Sequence, residues 1–315
     1  MTDNEFTLFD RCEKIRSTIE KYGEENFYIS FSGGKDSCVL SCLVDEAVPG
    51  NKIPRVYANT GIEYKMMVEF VKHLQEQDDR IVIIKPSVPI KPMLERDGYP
   101  FKSKLHSQFL GSYQANGNMP PYLRRYIGAE KVLGKKVRNE FICPKKLRFQ
   151  FSPGYPLKVS DKCCVRMKEE PLDLYAADNG KNWCLIGITN AEGGRRDNVK
   201  SCISFHKKRG LNFFYPLLPV SPEWEEWYIA ERNIEVCPLY YPPYNFDRTG
   251  CKGCPFNPRL QEDLDTLQKY FPAERKQCEI IWKPVYDEYR RLNYRLKPLP
   301  EAVQIDLFEE MAKRK

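Results

Sequence analysis

The sequence lacks any long uninterrupted apolar segment. In 315 residues no run approaches the roughly 20 apolar residues that a membrane helix needs, so we expect no membrane partner. Residues 1–10 carry acidic side chains and contain no apolar signal core. Low-complexity segments and internal repeats are also missing, which argues against repeat architectures and disordered tracts. We therefore expect a folded cytoplasmic protein.

A strong excess of one charge is missing as well. Lysine and arginine total 50, aspartate and glutamate total 43, and the formal net charge is +7. This mild excess is compatible with an anionic ligand or a nucleic acid and requires neither, because an ordinary solvated surface has a similar balance. With 42% hydrophobic residues the chain can bury a core, and its length suits one large domain or two smaller ones.

Short apolar runs alternate with stretches of helical periodicity along much of the chain. The runs predict buried strands, while Met67, Phe70 and Val71 share one face of an expected helix. Strands are expected at 27–31, 53–58, 80–84 and 183–188, and helices at 5–22, 35–45, 63–77 and 223–232. This alternation predicts an α/β fold of Rossmann-like type, an open parallel sheet with helices on both faces.

The alternation is interrupted and finally lost. Residues 98–160 are rich in glycine, proline and aromatic residues, which predicts a loop-rich insertion with short helices. Residues 201–215 can add a strand or a hairpin, and residues 258–315 have mostly helical character. We therefore predict an α/β domain over 1–257 and a helical C-terminal region over 258–315.

A glycine-rich segment follows the first expected strand and begins the next helix: Ser32-Gly33-Gly34-Lys35-Asp36-Ser37. At such a position backbone N–H groups and the helix N-terminus attract phosphate oxygens, and the glycines permit their close approach. Ser32 and Ser37 offer hydroxyls. Lys35 offers a positive charge, and Asp36 can orient a magnesium ion, a water molecule or the loop itself, so these two are the catalytic candidates.

This segment differs from the two best-known phosphate motifs. A Walker motif has four residues between its first glycine and its Gly-Lys pair, and the dinucleotide fingerprint Gly-x-Gly-x-x-Gly is missing. The plainer alternative is a tight turn with a solvated lysine. The order of strand, loop and helix favours phosphate binding, which makes residues 1–257 a predicted nucleotide-binding domain.

Twelve cysteines are many for a cytoplasmic chain, where disulfides are rare, so grouped cysteines indicate metal or redox chemistry. Cys163 and Cys164 are adjacent, and Cys251 and Cys254 form a Cys-x-x-Cys. Four thiolates can hold one iron–sulfur cluster or one zinc ion. Adjacent cysteines have Cα atoms about 3.8 Å apart and diverging side chains, which suits a 4Fe–4S cluster better than one zinc. Zinc and reduced thiols remain open alternatives.

The segment Ser32–Ser37 resembles the PP-loop of the ATP-pyrophosphatase superfamily. The resemblance implies binding of ATP or an adenylyl sulfate, with Mg²⁺ accompanying ATP, and chemistry at the α–β phosphoryl region. After the second expected strand, a further segment resembles a motif of the phosphoadenosine phosphosulfate (PAPS) reductase branch, with Asn59 in place of the usual aspartate: Asn59-Thr60-Gly61-Ile62-Glu63. The resemblance places Asn59, Thr60, Gly61 and Glu63 in the nucleotide site.

The cysteine segment resembles the same family. Residues 163–172, Cys-Cys-Val-Arg-Met-Lys-Glu-Glu-Pro-Leu, are similar to the Cys-Cys segment of iron–sulfur adenylyl sulfate reductases, which precedes a Cys-x-x-Cys at about this distance. The resemblance implies a 4Fe–4S cluster held near the substrate. The family's arginine loop corresponds here to Gly187 at its start and to Arg195 or Arg196 at its end, where a guanidinium contacts sulfate or phosphate. Thr189 stands where the first arginine is usual.

Two features depart from the family's reductases. Those enzymes end in a segment whose cysteine attacks sulfur and is later resolved by thioredoxin, whereas the last cysteine here is Cys278, inside an expected helix. Residues 123–148 also hold nine basic and two acidic residues, with Tyr122, Tyr126 and Phe141 interleaved. This basic strip is either a surface that binds RNA or DNA and stacks bases, or a solvated insertion.

These features favour an adenine-nucleotide-dependent sulfur enzyme. The favoured reaction is ATP cleavage that adenylates an acceptor, with RNA or DNA as one candidate acceptor, before a donor protein supplies sulfur. The first alternative is reduction of PAPS or adenylyl sulfate to sulfite. The second, from another class, is a non-catalytic nucleic-acid-binding module that retains a structural metal.

Overall fold

The protein was analysed as a computed structural model. The residues it describes are 1–128, 131–132, 135–136, 142–190, 199, 201–206 and 210–298. The chain packs as two compact units, each made of two segments. We call Met1–Ser87 with Met167–Gly250 the sheet unit, and Val88–Arg166 with Cys251–Lys315 the helical unit. The boundary expected at residue 257 was drawn on sequence character and stays a prediction.

The described strands and helices follow one another along the chain in this way. The strands are β1 (Phe27–Phe31), β2 (Arg55–Ala58), β3 (Ile81–Ile84), β4 (Lys131–Val132), β5 (Lys135–Lys136), β6 (Trp183–Leu185), β7 (Ile203–Ser204) and β8 (Asn212–Phe214). The helices are α1 (Asp3–Tyr22), α2 (Lys35–Ala47), α3 (Lys65–Gln77), α4 (Ile90–Asp97), α5 (Lys104–Asn116), α6 (Pro121–Gly128), α7 (Glu170–Asp178), α8 (Pro222–Arg232), α9 (Leu260–Tyr270), α10 (Pro272–Ile281) and α11 (Lys283–Arg291).

Six of the described strands form the sheet of the sheet unit, in the order β3-β2-β1-β6-β8-β7. All neighbouring pairs are parallel except the hairpin β7–β8. Phe27 of β1 lies opposite Trp183 of β6, and Ile29 lies opposite Arg55 of β2. Because β2 and β3 extend to one side of β1 and the later strands to the other, the strand order reverses beside β1. Such a reversal is where parallel sheets bind ligands.

Successive side chains of a strand point to opposite faces, and the sheet buries both. On one face Phe27, Ile29 and Trp183 pack with buried residues of α1, α2 and α8. On the other face Tyr28 and Cys184 pack with residues of α7. The predicted fold class, an open and mostly parallel sheet with helices on both faces, is therefore confirmed.

The helical unit contains the described helices α4–α6 and α9–α11. It also contains a 3₁₀ helix at Lys145–Phe151 and the antiparallel pair β4–β5, which the sequence did not suggest. Its core holds the fully buried His106, whose ring nitrogens lie 2.9 Å from Tyr126 Oη and 2.9 Å from Gln150 Oε1. Burial lowers the pKa of His106 to about 3. The three helices α9–α11 agree with the helical character expected after residue 258.

Among the described helices, none combines the length and the apolar character that crossing a bilayer requires. Sequence and structure differ mainly at element ends, since β6 stops at Leu185 and not at the expected 188, and α2 continues to Ala47. The hairpin β7–β8 is one of the two arrangements expected for residues 201–215.

Candidate functional site

The glycine-rich segment lies in the sheet unit, directly after β1 and at the start of α2. It is therefore at the carboxyl end of a parallel strand and beside the point where the strand order reverses. Its backbone is braced from within. The Ser32 N–H donates to Ser37 Oγ (3.2 Å), the Gly34 N–H donates to Ser32 Oγ (3.2 Å), and the Ser37 hydroxyl donates to the Gly34 carbonyl (2.8 Å). The two serines thus hold the loop open in a defined shape.

Close backbone approach at this loop requires glycine at two positions. Gly33 has φ +71°, and a Cβ there would lie 2.6 Å from Val71 Cγ2 and 2.7 Å from Met67 Sδ. Gly187, two residues after β6, would place a Cβ 2.6 Å from the carbonyl oxygen of Asp36. Since real Cβ atoms essentially never come this near to backbone, Gly187 lets the loop after β6 pack on the glycine-rich loop Ser32–Ser37, called the phosphate loop below after its predicted ligand. The sequence predicted Gly187 as a nucleotide-site residue, and the structure places it against the backbone of Asp36.

Lys35 begins α2 and is surrounded by side chains that the sequence did not indicate. Its ammonium forms an ion pair with Glu226 of α8 and lies 5.5 Å and 5.7 Å from the ring centroids of Tyr240 and Tyr241. Tyr240 Oη also lies 2.5 Å from Thr249 Oγ1, within hydrogen-bond distance. Burial raises the pKa of Tyr240 to about 12, so its hydroxyl stays protonated. The positive charge is thus held at the loop by a carboxylate and two aromatic faces.

The second predicted segment, Asn59–Glu63, forms a braced turn after β2. The buried carboxylate of Glu63 accepts from the Thr60 N–H (2.9 Å) and the Thr60 hydroxyl (2.7 Å), and Asn59 Oδ1 accepts from the Gly61 N–H (3.0 Å). Lys168 Nζ lies 3.6 Å from Glu63 Oε1. Glu63 therefore shapes the turn, and Lys168 is an ion-pair partner of its carboxylate.

Arg195 and Arg196, the candidate anion-binding residues of the arginine loop, lie outside the described residues. Of that loop's beginning, Thr189 is described and is only 3% exposed. It follows Gly187 and the buried Ile188, so its side chain belongs to the interior of the sheet unit.

The four candidate metal-ligating cysteines all lie in the helical unit. Cys163 is buried, whereas Cys164, Cys251 and Cys254 are partly exposed. A hydrogen bond with Cys164, burial, and the neighbouring charges of Cys164, Cys254 and Cys251 together raise the pKa of Cys163 well above its ordinary value. The two cysteine groups, far apart in sequence, are therefore close enough in space to act on each other's ionisation.

The Cys-x-x-Cys turn is held by hydrogen bonds from Trp282, which lies between α10 and α11, and from two tyrosines of α11. Trp282 Nε1–H donates to the Lys252 carbonyl (3.1 Å), the Tyr286 hydroxyl donates to the Gly253 carbonyl, and the Tyr289 hydroxyl donates to the Pro255 carbonyl (2.8 Å). At Gly253, with φ +62°, an added Cβ would lie 2.8 Å from Cys278 Sγ. Buried aromatic side chains thus fix the backbone that presents Cys251 and Cys254.

The described residues contain no group of three or more His, Cys, Asp or Glu side chains arranged to hold a single metal ion. The four cysteines nevertheless influence one another, as the pKa of Cys163 shows. Four cysteine thiols are a ligand set that either a 4Fe–4S cluster or a single zinc ion can use.

Two of the other cysteines, Cys143 and Cys278, are shielded from solvent. All twelve lie in the described residues, and none forms a disulfide. Cys143 is fully buried, and burial raises its pKa to about 12. Cys278 is likewise fully buried with its pKa raised by burial to about 12. A thiol with so high a pKa is a poor nucleophile at neutral pH, so the structure argues against both.

The basic strip 123–148 is described only in part. Arg124, Arg125, Lys145 and Lys146 are exposed, and Tyr122 is 49% exposed. Tyr126, however, is buried and hydrogen-bonded to His106, so its expected availability for stacking is wrong. Phe141 lies outside the described residues.

Comparison with known proteins identifies part of the chain. Residues 26–115 match the family model of the phosphoadenosine phosphosulfate reductase domain. The predicted family is confirmed for this segment, which contains the phosphate loop and the turn Asn59–Glu63. Both cysteine groups and Gly187 lie outside the match.

The proteins to which the chain is similar are distant in sequence. An uncharacterized protein of Methanocaldococcus jannaschii is 28% identical over 156 residues, which are 46% of this chain and 36% of that protein's length. The PAPS reductase of Candida auris, in a phosphate complex, has 12% identity and a TM-score of 0.43 over 76% of this chain and 93% of that one. The U34-tRNA thiolase of Methanococcus maripaludis, with its [4Fe-4S] cluster, has 15% identity and a TM-score of 0.40 over 95% and 82%.

Several residues of these sites were not predicted from the sequence. Tyr240 and Glu226 lie on other elements than the loop they contact, and only the fold brings them there. The aromatic residues that hold the cysteine turn had one signal, since Trp282, Tyr286 and Tyr289 recur at helical spacing in a segment expected to be helical.

Proposed function

We propose that this protein is an adenine-nucleotide-dependent sulfur enzyme that binds ATP at Ser32–Ser37, adenylates an acceptor and carries a 4Fe–4S cluster on Cys163, Cys164, Cys251 and Cys254. The observation that carries the nucleotide part is the phosphate loop after β1, with the loop after β6 packed on it through Gly187. The PAPS reductase match over residues 26–115 supports the same chemistry.

The loop offers a phosphate three kinds of attraction. The first turn of α2 presents backbone N–H groups and the positive end of the helix dipole. Lys35 adds a full charge, which exchanges Glu226 for a phosphate oxygen when a nucleotide enters. The glycines leave room for the backbone to reach the phosphate.

The proposed chemistry balances without an oxidant or a reductant. An acceptor oxygen attacks the α-phosphorus of ATP, the bond between the α-phosphorus and the bridging oxygen breaks, and pyrophosphate leaves with that bond's electron pair. A sulfide-level donor then attacks the activated carbon and displaces AMP. Lys35 stabilises the negative charge that develops on the phosphate oxygens, as positioned cations do in phosphoryl transfer.

With every iron ligated by one of these four cysteines, a 4Fe–4S cluster would supply a redox-active group and not an open iron site. The protein's own contribution is positional. The hydrogen bonds from Trp282, Tyr286 and Tyr289 to the backbone around Cys251 and Cys254 hold two of the thiols in place.

The proposed acceptor is a nucleic acid, because exposed lysines and arginines of residues 123–148 can neutralise backbone phosphates. Its binding is expected to weaken steeply as salt concentration rises, since each neutralised phosphate releases a counterion. A donor protein is expected to deliver the sulfur.

An anaerobic assay with purified, iron- and sulfide-reconstituted protein tests the proposal. We expect pyrophosphate release from ATP in the presence of an RNA acceptor, loss of this release in Lys35→Ala, and its retention in the control Lys72→Ala on α3. Four irons and four sulfides per chain are expected. Zinc alone would contradict the cluster, and sulfite formation from PAPS with thioredoxin would contradict the transferase reaction.

Reduction of PAPS or adenylyl sulfate is the second candidate, and the family match over residues 26–115 favours it. The buried Cys278 speaks against it, because the last cysteine of the sequence is not accessible to attack a sulfur atom. The sulfite assay above distinguishes the two reactions.

A further inference from the structure

Two segments of the helical unit, far apart in sequence, bring cationic and aromatic side chains to one surface. One segment is the 3₁₀ helix Lys145–Phe151, and the other is the end of α11 with the turn that follows it. Lys146 Nζ lies 4.8 Å from the ring centroid of Tyr294, and Arg291 Cζ lies 5.4 Å from that of Phe149. We call this surface the cation–aromatic face, and it consists of Lys145, Lys146, Phe149, Arg291, Tyr294 and Arg295.

The two segments are held together beneath and across the face. Leu147 of the 3₁₀ helix is fully buried, and the Lys146 ammonium donates to the Asn293 carbonyl (3.1 Å), which joins one segment to the other. After α11, Arg295 has φ +64°, a left-handed conformation that is costly for a residue other than glycine. The surrounding contacts therefore hold this turn, and with it Tyr294, in one arrangement.

The positive charges of the face are left largely uncompensated. Among its described residues only Arg291 pairs with a carboxylate, whereas Lys146 and Arg295 donate to backbone carbonyl oxygens. A carbonyl oxygen carries no full charge, so these hydrogen bonds orient the two cations without neutralising them. Neither residues 145–149 nor residues 290–297 contain an aspartate or a glutamate. Such a surface favours an anionic partner.

The exposed ring on this face indicates which anion fits. Phe149 is 41% exposed, so a flat group of a ligand can reach its ring beside the Arg291 guanidinium. Aromatic rings next to cations are typical of surfaces that bind single-stranded nucleic acids, because bases stack on the rings while the cations hold neighbouring phosphates. A duplex keeps its bases stacked on each other and offers only its backbone. A small anion would leave the ring unused.

The face also contacts the turn that presents Cys251 and Cys254. Arg295 Nη1 donates to the Pro255 carbonyl (2.6 Å), to which the Tyr289 hydroxyl also donates (2.8 Å). Since Pro255 directly follows Cys254, a ligand bound at Arg295 lies close to the candidate cluster ligands.

We propose that the cation–aromatic face binds a single-stranded segment of nucleic acid, with phosphates at Lys145 and Lys146 and a base stacked on Phe149. The inference rests on the proposed function, in which a nucleic acid is the acceptor, and it specifies where that acceptor binds and that its bases are unpaired. Of the basic strip 123–148 it uses only the C-terminal end, and it adds side chains from the end of α11 and the turn that follows.

Fluorescence anisotropy with the full-length protein and labelled RNA or DNA oligonucleotides of about 12 nucleotides tests the stacking. We expect Phe149→Ala to weaken single-strand binding about tenfold, because the stacking of one base is lost, and to leave duplex binding unchanged. This loss is expected with whichever of RNA and DNA of the same sequence binds more tightly. The matched control Phe9→Ala removes a ring of α1 that is 59% exposed and should leave the affinity unchanged.

The double variant Lys145→Gln/Lys146→Gln tests the charges. Each lost phosphate contact should lower the slope of log affinity against log salt concentration by about 0.7, so this variant should lose about 1.4. The control Lys14→Gln/Lys72→Gln removes the same charge from exposed lysines of α1 and α3 and should keep the slope. The unfolding temperature of each variant checks that it is folded.

The outcomes separate this inference from the proposed function. If single strands bind the unchanged protein and neither Phe149→Ala nor the double lysine variant weakens them, the face is wrong and the nucleic-acid acceptor stands. Equal weakening of duplex and single strand by Phe149→Ala would overturn the stacked base. If no oligonucleotide binds, the face and the nucleic-acid acceptor are both wrong, whereas calorimetry with a non-hydrolysable ATP analogue tests the nucleotide site independently.

Discussion

The phosphate loop of the sheet unit and the cysteine turn of the helical unit are stabilised in opposite ways. The loop is held by its own residues, through hydrogen bonds among Ser32, Gly34 and Ser37. The cysteine turn is held by donors far along the chain, at Trp282, Tyr286 and Tyr289. A site built from local hydrogen bonds can be recognised in the sequence as a short motif. For a site that is held by distant donors, the sequence reveals only the candidate ligands and not the residues that position them.

Among the changes that test this difference between the two sites, Cys251→Ala is expected to have the largest effect. We expect this variant to lose the cluster. Removing one of four thiolates from a turn that is otherwise rigid leaves one iron without its protein ligand. We expect iron and sulfide contents near zero after anaerobic reconstitution. The control Cys202→Ala removes a partly buried thiol of the sheet unit and should retain the full content. An unchanged iron content in Cys251→Ala would show that this cysteine is not a ligand.

Acid should weaken the helical unit through His106. Burial lowers its pKa from 6.5 to about 3, so between these values the unfolded chain binds a proton that the folded chain does not. The free energy of unfolding is therefore highest, as far as His106 is concerned, above pH 6.5. It falls as the pH decreases toward 3, by on the order of 1.4 kcal/mol per pH unit.

Urea unfolding and hydrogen exchange of α5 at several pH values measure this loss. His106→Gln should have a shallower dependence of unfolding free energy on pH in that window, while His73→Gln, which removes a histidine about half exposed in the sheet unit, should keep the original slope. Equal slopes in all three proteins would rule out His106 as the acid-sensitive group.

Gly187→Ala should break the packing on the phosphate loop. The added methyl group would meet the Asp36 carbonyl at 2.6 Å, so the backbone must move. We expect nucleotide affinity to fall about 100-fold, by analogy with other misplacements of about an ångström in binding sites. Gly250→Ala adds the same methyl group where nothing lies within 4 Å, and calorimetry should show unchanged affinity there.

Tyr286→Phe removes one distant donor from the cysteine turn and leaves the buried Gly253 carbonyl without it. We expect a loss of about 1–2 kcal/mol in the free energy of unfolding and faster release of iron to a chelator. The control Tyr122→Phe changes an exposed ring and should alter neither. Equal rates of iron release in the two variants would mean that the turn does not depend on this hydrogen bond.

The smallest effect is expected from Glu226→Gln. This change releases Lys35 from its ion pair, and we expect nucleotide affinity to rise about two- to threefold at low salt and the gain to disappear at high salt. A titration at two ionic strengths measures it. A fall in affinity would show that Glu226 positions Lys35 and does not compete with the phosphate.

The sequence alone predicted the parallel sheet, because β1 to β3 are short apolar runs between amphipathic helices, a pattern that needs only the period of each element. It also predicted the phosphate loop, whose hydrogen bonds lie within residues 32–37. Only the tertiary structure placed Gly187 on Asp36, Glu226 and Tyr240 beside Lys35, and Tyr126 in the core. These contacts depend on how helices and loops pack against each other, and the spacing of residues along the chain does not reveal which elements pack together.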